Sequence, residues 1–232
     1  MKQIFLVLIL VIMVFSCNSK TKNNVNKTSS DTILISEKQI EYKYEKLHKL
    51  FVVGDFDGDG KIDTLFLHHY SNLTKTEIDS FPYPNEEDWG DFINCFYDQD
   101  IISYLAFNKK GKDTLHFGDA IGLFCLINIG DNNLDGKDEI ALVRAHLDYS
   151  RVNTCKIYTL CNGEWTLLKE FWIHEDAFDF FGEQSEYPVF SEIKGYLEKH
   201  NGEWFYLDYL NDGWDRMEDV GKMERLKLEK CK

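Results

Sequence analysis

Residues 55–63 read Asp-Phe-Asp-Gly-Asp-Gly-Lys-Ile-Asp, and residues 131–139 read Asp-Asn-Asn-Leu-Asp-Gly-Lys-Asp-Glu. Aligned on their first residue, both carry oxygen-bearing side chains at positions 1, 3, 5 and 9, glycine at 6 and lysine at 7. Gly54 and Gly130 precede them at the same phase. Alternate residues of a tight loop turn their side chains inward, so the groups at 1, 3 and 5 converge. The residue at 6 must turn sharply, where a β-carbon is strained and glycine is not. Position 7 offers its backbone carbonyl, which leaves its side chain free to be Lys61 or Lys137. The acid at 9, Asp63 or Glu139, closes the far side. Hard oxygen donors in that number suit calcium, which takes six to eight of them at roughly 2.3–2.6 Å. The competing reading is an ion-free turn, since Asp, Asn and Gly dominate turns in any case.

The flanks decide the fold. Leu50–Val53 and Leu123–Ile129 precede the loops, and Thr64–Leu67 and Ile140–Val143 follow them. These short apolar runs are rich in β-branched and aromatic residues and predict buried strands. An EF-hand starts with similar spacing but needs helices on both sides and a glutamate at position 12. Position 12 is Phe66 in one loop and Leu142 in the other.

A strand–acidic loop–strand unit of this kind resembles the FG-GAP or VCBS-type calcium-binding repeat of integrin α-subunit propellers and many exported bacterial proteins. The resemblance covers residues 50–70 and 123–147. It implies bound Ca²⁺, held in the first loop by Asp55, Asp57, Asp59, Asp63 and the Lys61 carbonyl. In the second it implies Asp131, Asn133, Asp135, Glu139 and the Lys137 carbonyl. The second loop departs from the first in its neutral Asn133, in Leu134 where the first has Gly58, and in the longer Glu139. The Phe-Gly and Gly-Ala-Pro signatures that name the family are missing, so a full propeller does not follow.

Each loop unit is followed by a hairpin pattern. Ile101–Phe117 reads strand, Asn-Lys-Lys-Gly turn, strand. Thr154–Ile173 turns at Asn162-Gly163, the strongest short hairpin signal. A further hairpin at Gly195–Leu210 repeats Asn-Gly-Glu-Trp without an acidic loop before it. Two four-strand units, about 50–117 and 123–173, and a degenerate third cannot close a ring of four or more blades. The expected fold is mainly β: blade-like antiparallel sheets in a partial, non-closed propeller-like repeat, with minor helix. Ser36–Phe51 fits an amphipathic helix capped by Ser36 and Gln39, and Ile40, Tyr42 and Tyr44 also alternate as a strand would. Val220–Lys230 predicts a short terminal helix, and Thr74–Asp91 a long loop.

The N-terminus reads as an address. Lys2 precedes the twelve apolar residues Ile4–Phe15, then Ser16 and Cys17. Twelve residues fall short of the roughly 20 that span a bilayer and match a signal-peptide core. The segment resembles a bacterial lipoprotein signal: residues 1–16 would be removed and Cys17 lipidated. Plain secretion with a free Cys17 is the alternative. Residues 17–35 are polar enough to serve as a flexible tether to a β-rich body at 36–232. The expected location is the cell envelope, on the periplasmic side or at the cell surface, with the membrane engaged through the N-terminal lipid.

The 232 residues include 40 Asp and Glu against 26 Lys and Arg, a net charge of −14, with 44 % hydrophobic residues. That supplies a core and argues against a basic nucleic-acid-binding face. With Cys17 lipidated, Cys95, Cys125, Cys155, Cys161 and Cys231 leave at least one thiol unpaired. Cys155 and Cys161 flank one strand and lie too far apart to bridge each other. Zinc-protease, serine-hydrolase and phosphate-loop motifs are missing. His68 and His69 are adjacent and would face opposite sides of a strand. His174-Glu175-Asp176 reads as a solvated turn, and Trp165 and Trp204 as core covers past hairpin turns. The functional expectation is a non-enzymatic, lipid-anchored protein with structural Ca²⁺ that presents a surface to a protein or glycan partner. The alternative is a calcium-supported envelope hydrolase acting on glycan or peptide.

Overall fold

The computed structural model describes residues 42–84, 88–108, 113–118, 120–148, 150–178, 189–210 and 223–231. The signal segment, Cys17 and the tether lie outside the described residues, as do Ser36–Gln39 of the expected helix and Trp214. The described protein is mainly β, with several antiparallel sheets, none closed.

In chain order the elements are β1 (Tyr42–Lys46), β2 (Phe51–Gly54), β3 (Asp63–Ser71), β4 (Thr76–Glu77), β5 (Ser80–Pro84), α1 (Trp89–Asp98), β6 (Ile101–Phe107) and β7 (Leu115–His116). There follow β8 (Gly122–Gly130), β9 (Glu139–Ala145), β10 (Val152–Cys161), β11 (Glu164–His174), a 3-10 turn (Glu175–Phe178), β12 (Leu197–His200), β13 (Glu203–Tyr206) and β14 (Glu224–Arg225). The first sheet runs β2-β3-β6-β7, with β4 pairing to β3. The second runs β8-β9-β10-β11, and the third β12-β13-β14. The second and third paths are meanders of consecutive strands, whereas in the first β3 pairs antiparallel with β6 although β4, β5 and α1 intervene in the chain. The two acidic loops join the first two strands of the first and second sheets. Their ends match in register: Gly54 pairs with Asp63, and Gly130 with Glu139.

Alternation sorts the side chains into layers. Leu65 and Leu67 of β3 turn inward while Phe66 faces out. They join Leu105, Leu115, Leu123, Leu126, Ile140, Leu142 and Leu160 in a core that draws on the first and second sheets. The other phase of the second sheet places Ile127, Ala141, Val143, Cys155, Ile157, Phe171 and Ile173 in a second core with Ile193, Leu197, Trp204 and Leu226. The second sheet is therefore covered on both faces, which explains the nearly unbroken apolar runs of β8 and β9. Each fully buried Leu, Ile or Phe in these layers contributes about 1.5–3 kcal/mol through the hydrophobic effect.

Two expectations are corrected and one open choice is resolved. Of the helix and the strand that both fit this segment, residues 42–46 form the strand: β1 pairs with β5, and Tyr44, on the helical stripe with buried Leu47, is 70 % exposed. Thr74–Asp91 is not a bare loop, for it holds β4, β5 and the start of α1. That helix is capped by Asp88, whose carboxylate accepts the Gly90 N–H (2.6 Å). Phe92 and Phe96 from one face of α1 meet the Phe81 ring edge-on at 5.2 and 5.4 Å, which anchors a third core with Leu47, Ile101 and Leu147. In the C-terminal segment, Glu224–Arg225 is a strand and 226–231 has no helix. Leu226 N–H donates to the Trp204 carbonyl instead. Among the described residues no helix is long and apolar enough to cross a membrane.

Cys161 bridges to Cys231 across 70 residues, while Cys95, Cys125 and Cys155 are free. Burial pushes the Cys125 and Cys155 thiols well up, so both behave as small core hydrophobes. The Cys161–Cys231 bridge fastens the chain end beside the second sheet. Replacing Cys231 by Ser is expected to lower unfolding stability by about 2–4 kcal/mol. Denaturant curves of the variant and of reduced wild type should then coincide below the oxidised wild type, and three superimposable curves would show that the bridge contributes nothing.

Candidate metal centre

Both acidic loops are built by the same hydrogen bonds. In the first, Asp55 Oδ2 accepts the Gly60 N–H (3.0 Å), Asp57 Oδ1 the Asp59 N–H (3.1 Å) and Asp59 Oδ1 the Lys61 N–H (2.8 Å). In the second, Asp131 Oδ2 accepts from Gly136 (3.0 Å), Asn133 Oδ1 from Asp135 (2.9 Å) and Asp135 Oδ1 from Lys137 (3.1 Å). Positions 4 and 6 have positive φ in both: 76° and 78° at Gly58 and Gly60, 61° and 90° at Leu134 and Gly136. Side chains that bend the backbone around themselves in this way draw their remaining oxygens together.

Asp55, Asp57 and Asp63 bring ligand oxygens within 4.8 Å of one another, and so do Asp131, Asp135 and Glu139. Two oxygens on opposite sides of an ion bound at roughly 2.3–2.6 Å stand about 5 Å apart, so each trio fits one coordination sphere of that size. Asp59 lies outside the first trio. Its carboxylate turns to the Lys61 N–H and to the Lys61 ammonium (3.2 Å), which hold it below the usual carboxylate range. Asn133 is buried in the second loop. Its Nδ2 donates to Asp135 Oδ2 (3.2 Å) and to the Glu229 carbonyl (3.3 Å), which ties the loop to the chain end. The backbones of Lys61 and Lys137 sit at the matching seventh positions.

Position 9 distinguishes these loops from surface turns. Asp63 and Glu139 are the first residues of β3 and β9, and both are fully buried. Glu139 Oε2 accepts from the Asn132 and Asn133 N–H groups (2.8 and 3.3 Å), while Oε1 is buried with no hydrogen-bond partner among the described residues. A buried carboxylate oxygen with no donor is costly unless a cation or a proton meets it. The donor set is all oxygen, the choice of hard ions such as calcium rather than of zinc or copper.

The other chemistry-bearing residues are taken up structurally. His69 is buried, with Nε2–H donating to the His48 carbonyl (2.9 Å) and Nδ1 accepting from the Ser103 hydroxyl (2.8 Å). Burial lowers its pKa and keeps the ring neutral. His68, on the opposite face, stacks on Tyr104. His174 Nδ1 lies 3.1 Å from Asp176, which also pairs with Arg151. Trp165 stacks on Phe107, and Trp204 is buried with its indole N–H on the Ile129 carbonyl (2.7 Å). Sequence reasoning missed Asp138. Its carboxylate accepts from the Asp55 N–H (3.0 Å) and from Asn128 Nδ2 (2.9 Å), across the gap between the loops. A carboxylate at an even loop position was the available signal. No protein-family model, no curated protein and no solved structure matches this chain.

Two outcomes test this geometry. Burial, with Asp135 and Asp131 nearby, raises the Glu139 carboxyl to about 7 from its ordinary 4.5, against the two N–H groups that lower it. Between those values the folded state keeps a proton that the unfolded chain has lost. In ion-free protein the Glu139 contribution to stability is therefore full below about pH 4.5 and is lost as pH rises through about 7. Glu139→Gln should flatten the fall of melting temperature from pH 5 to pH 7.5 measured in chelator, and an unchanged slope would contradict the assignment. Leu134 is 75 % exposed and carries its φ of 61° without glycine's freedom. Leu134→Asn should raise stability by roughly 0.5–1 kcal/mol in denaturant titrations, because asparagine tolerates the left-handed region.

Proposed function

We propose that this chain is an exported, lipid-anchored, non-enzymatic envelope protein whose two acidic loops bind calcium as structural ions. The β-rich body, built of blade-like repeats in the manner of FG-GAP or VCBS proteins, presents a surface to a protein or glycan partner. The observation that carries the calcium reading is the convergence of Asp131, Asp135 and Glu139 oxygens to within 4.8 Å of one another, with a buried Glu139 oxygen that accepts no hydrogen bond among the described residues. The same construction in the first loop supports it independently. Two antiparallel paths of four strands that ascend in chain order, with equal loop register, support the repeat reading. Each ion would neutralise carboxylates that otherwise repel one another, and would hold the bend between two core strands. Weak sites suffice outside the cytoplasm, where calcium modules work at Kd of roughly 10⁻⁴–10⁻³ M. The surface role is supported by exposed aromatic side chains that no described core covers, among them Phe51, Trp89 and Trp172.

Calcium should raise the melting temperature of the chelator-treated protein. Asp57→Asn combined with Asp135→Asn should abolish that rise while preserving the ion-free melting temperature. Equal melting curves in excess calcium and in chelator would refute the reading.

A further inference from the structure

The two acidic loops are far apart in sequence but adjoin in the fold. The Asp138 N–H donates to the Asp55 carbonyl (2.9 Å), and the Asp138 carboxylate accepts the Asp55 N–H (3.0 Å), so one residue grips both backbone groups of another. Asp55 is the first acid of loop one. Asp138 lies between Lys137, whose carbonyl is a candidate ligand, and the buried Glu139. Asn128, near the end of β8, completes the joint. Its Nδ2 donates to Asp138 Oδ2 and to the Val53 carbonyl (2.8 Å), and its Oδ1 accepts the Gly130 N–H (2.7 Å). The fit is tight. A β-carbon on Gly54 would stand 2.4 Å from Asn128 Nδ2 and 2.5 Å from Asp138 Oδ2, and one on Gly58 would stand 3.0 Å from Lys137 Cγ.

We propose that the two loops act as one thermodynamically linked pair of cation sites, with Asp138 as the positioning residue that joins them. The proposal rests on the reading of both loops as cation sites and adds that neither fills independently. An ion in loop two fixes the backbone at Lys137–Glu139. Through the double grip this fixes Asp55, the residue on which Gly58 and Gly60 N–H groups turn. The second ion then meets a loop already ordered, so its binding sacrifices less conformational freedom. Mutual repulsion of two dications opposes this. Bulk salt screens it over about 8 Å, and the Asp138 carboxylate lies between the loops and offsets it. Ordering wins, and the linkage is positive. Linkage is also reciprocal: whatever factor one loop confers on the other is returned.

The test is calcium chloride titration of the ion-free, disulfide-bonded chain, read by calorimetry and by a competing fluorescent chelator. Wild type should take two ions with a Hill coefficient above 1. Disabling loop two by Asp131→Asn with Asp135→Asn should weaken binding at loop one by about fivefold or more. Disabling loop one by Asp57→Asn with Asp63→Asn should weaken loop two by the same factor. Asp138→Ala should still take two ions but lose that mutual dependence, while Asp138→Asn, which keeps an acceptor oxygen facing Asp55, should restore it. A general loss of stability would not be rescued in that pattern, and far-ultraviolet circular dichroism checks each variant's fold. Two ions bound with affinities indifferent to the state of the neighbouring loop would overturn the linkage and leave the calcium reading standing. Failure of wild type to bind calcium at all would overturn both.

Discussion

The fold turns on a carboxylate placed where carboxylates are rarely found: at the first residue of a core strand. Asp63 opens β3 and Glu139 opens β9, both fully buried, and each is followed by inward-facing aliphatic residues. Moving Asp63 outward by one position would slip β3 and turn Leu65 toward solvent, and moving Glu139 would exchange the side chains that β9 sends to its two cores. The acid and the apolar alternation therefore fix one another's register. A charge held there needs a counter-charge, a proton or several donors. The preceding eight residues supply backbone N–H groups to one side of Glu139 and other oxygens to the opposite side.

That constraint propagates because the two loops meet. Their strands belong to different sheets, and the apolar layer of Leu65, Leu67, Leu123, Ile140 and Leu142 holds those sheets together. At the edge of this layer hydrophobic packing gives way to the polar joint of Asp55, Asn128 and Asp138. The Asp55 N–H and carbonyl and the Val53 carbonyl are all met across the sheet boundary, and the close approach of Asn128 and Asp138 accounts for a glycine at position 54 where neither turn nor positive φ demands one. On its far side the second loop is braced by the chain end. Lys230 Nζ donates to the Leu134 carbonyl (2.6 Å), the Glu229 carbonyl accepts from Asn133, and Cys231 closes the brace on Cys161.

Strands flanking the loops were legible because their period and their turn residues agreed. Gly58, Gly60, Gly136, Asn162-Gly163 and Asn201-Gly202 all occupy positive-φ turns, and Asn162 and Asn201 are themselves left-handed. The helix α1 was not legible, because its composition works against it. Trp89, Gly90, Asp91, Asn94 and Cys95 are poor helix formers, and tertiary packing of Phe92 and Phe96 on Phe81 overrides that weak propensity. At β1 the local pattern fitted both a helix and a strand. Ile40, Tyr44, Leu47 and Phe51 satisfy a helical period by accident, while pairing with β5 decides the outcome. Pairing of distant segments is invisible to local pattern, as is the partner of Cys161. At the site, the identities of the convergent residues were readable, but two details were not. Asp59 is drawn off by its neighbour Lys61, and Asn133 serves the chain end as well as the loop.

The neutral Asn133 suggests, by charge alone, that the second loop is the weaker of the two, and its surroundings argue the other way. Loop one has more acid, but residues 58–62 are exposed and held, among the described residues, only by hydrogen bonds within the loop, so an ion there would have more backbone to immobilise. Loop two has one formal charge fewer at the ligand positions. Yet Asn133 and Glu139 are buried, and the loop is held on one side by Asp138 and Asn128 and on the other by Glu229 and Lys230. One carboxylate exchanged for an amide keeps an oxygen donor and loses a Coulomb contribution that salt and water attenuate near a surface. Ordering several backbone residues costs on the order of 1 kcal/mol each and is not attenuated by anything. If both loops take ions as proposed, the balance favours the braced loop as the one that would lose less freedom on binding.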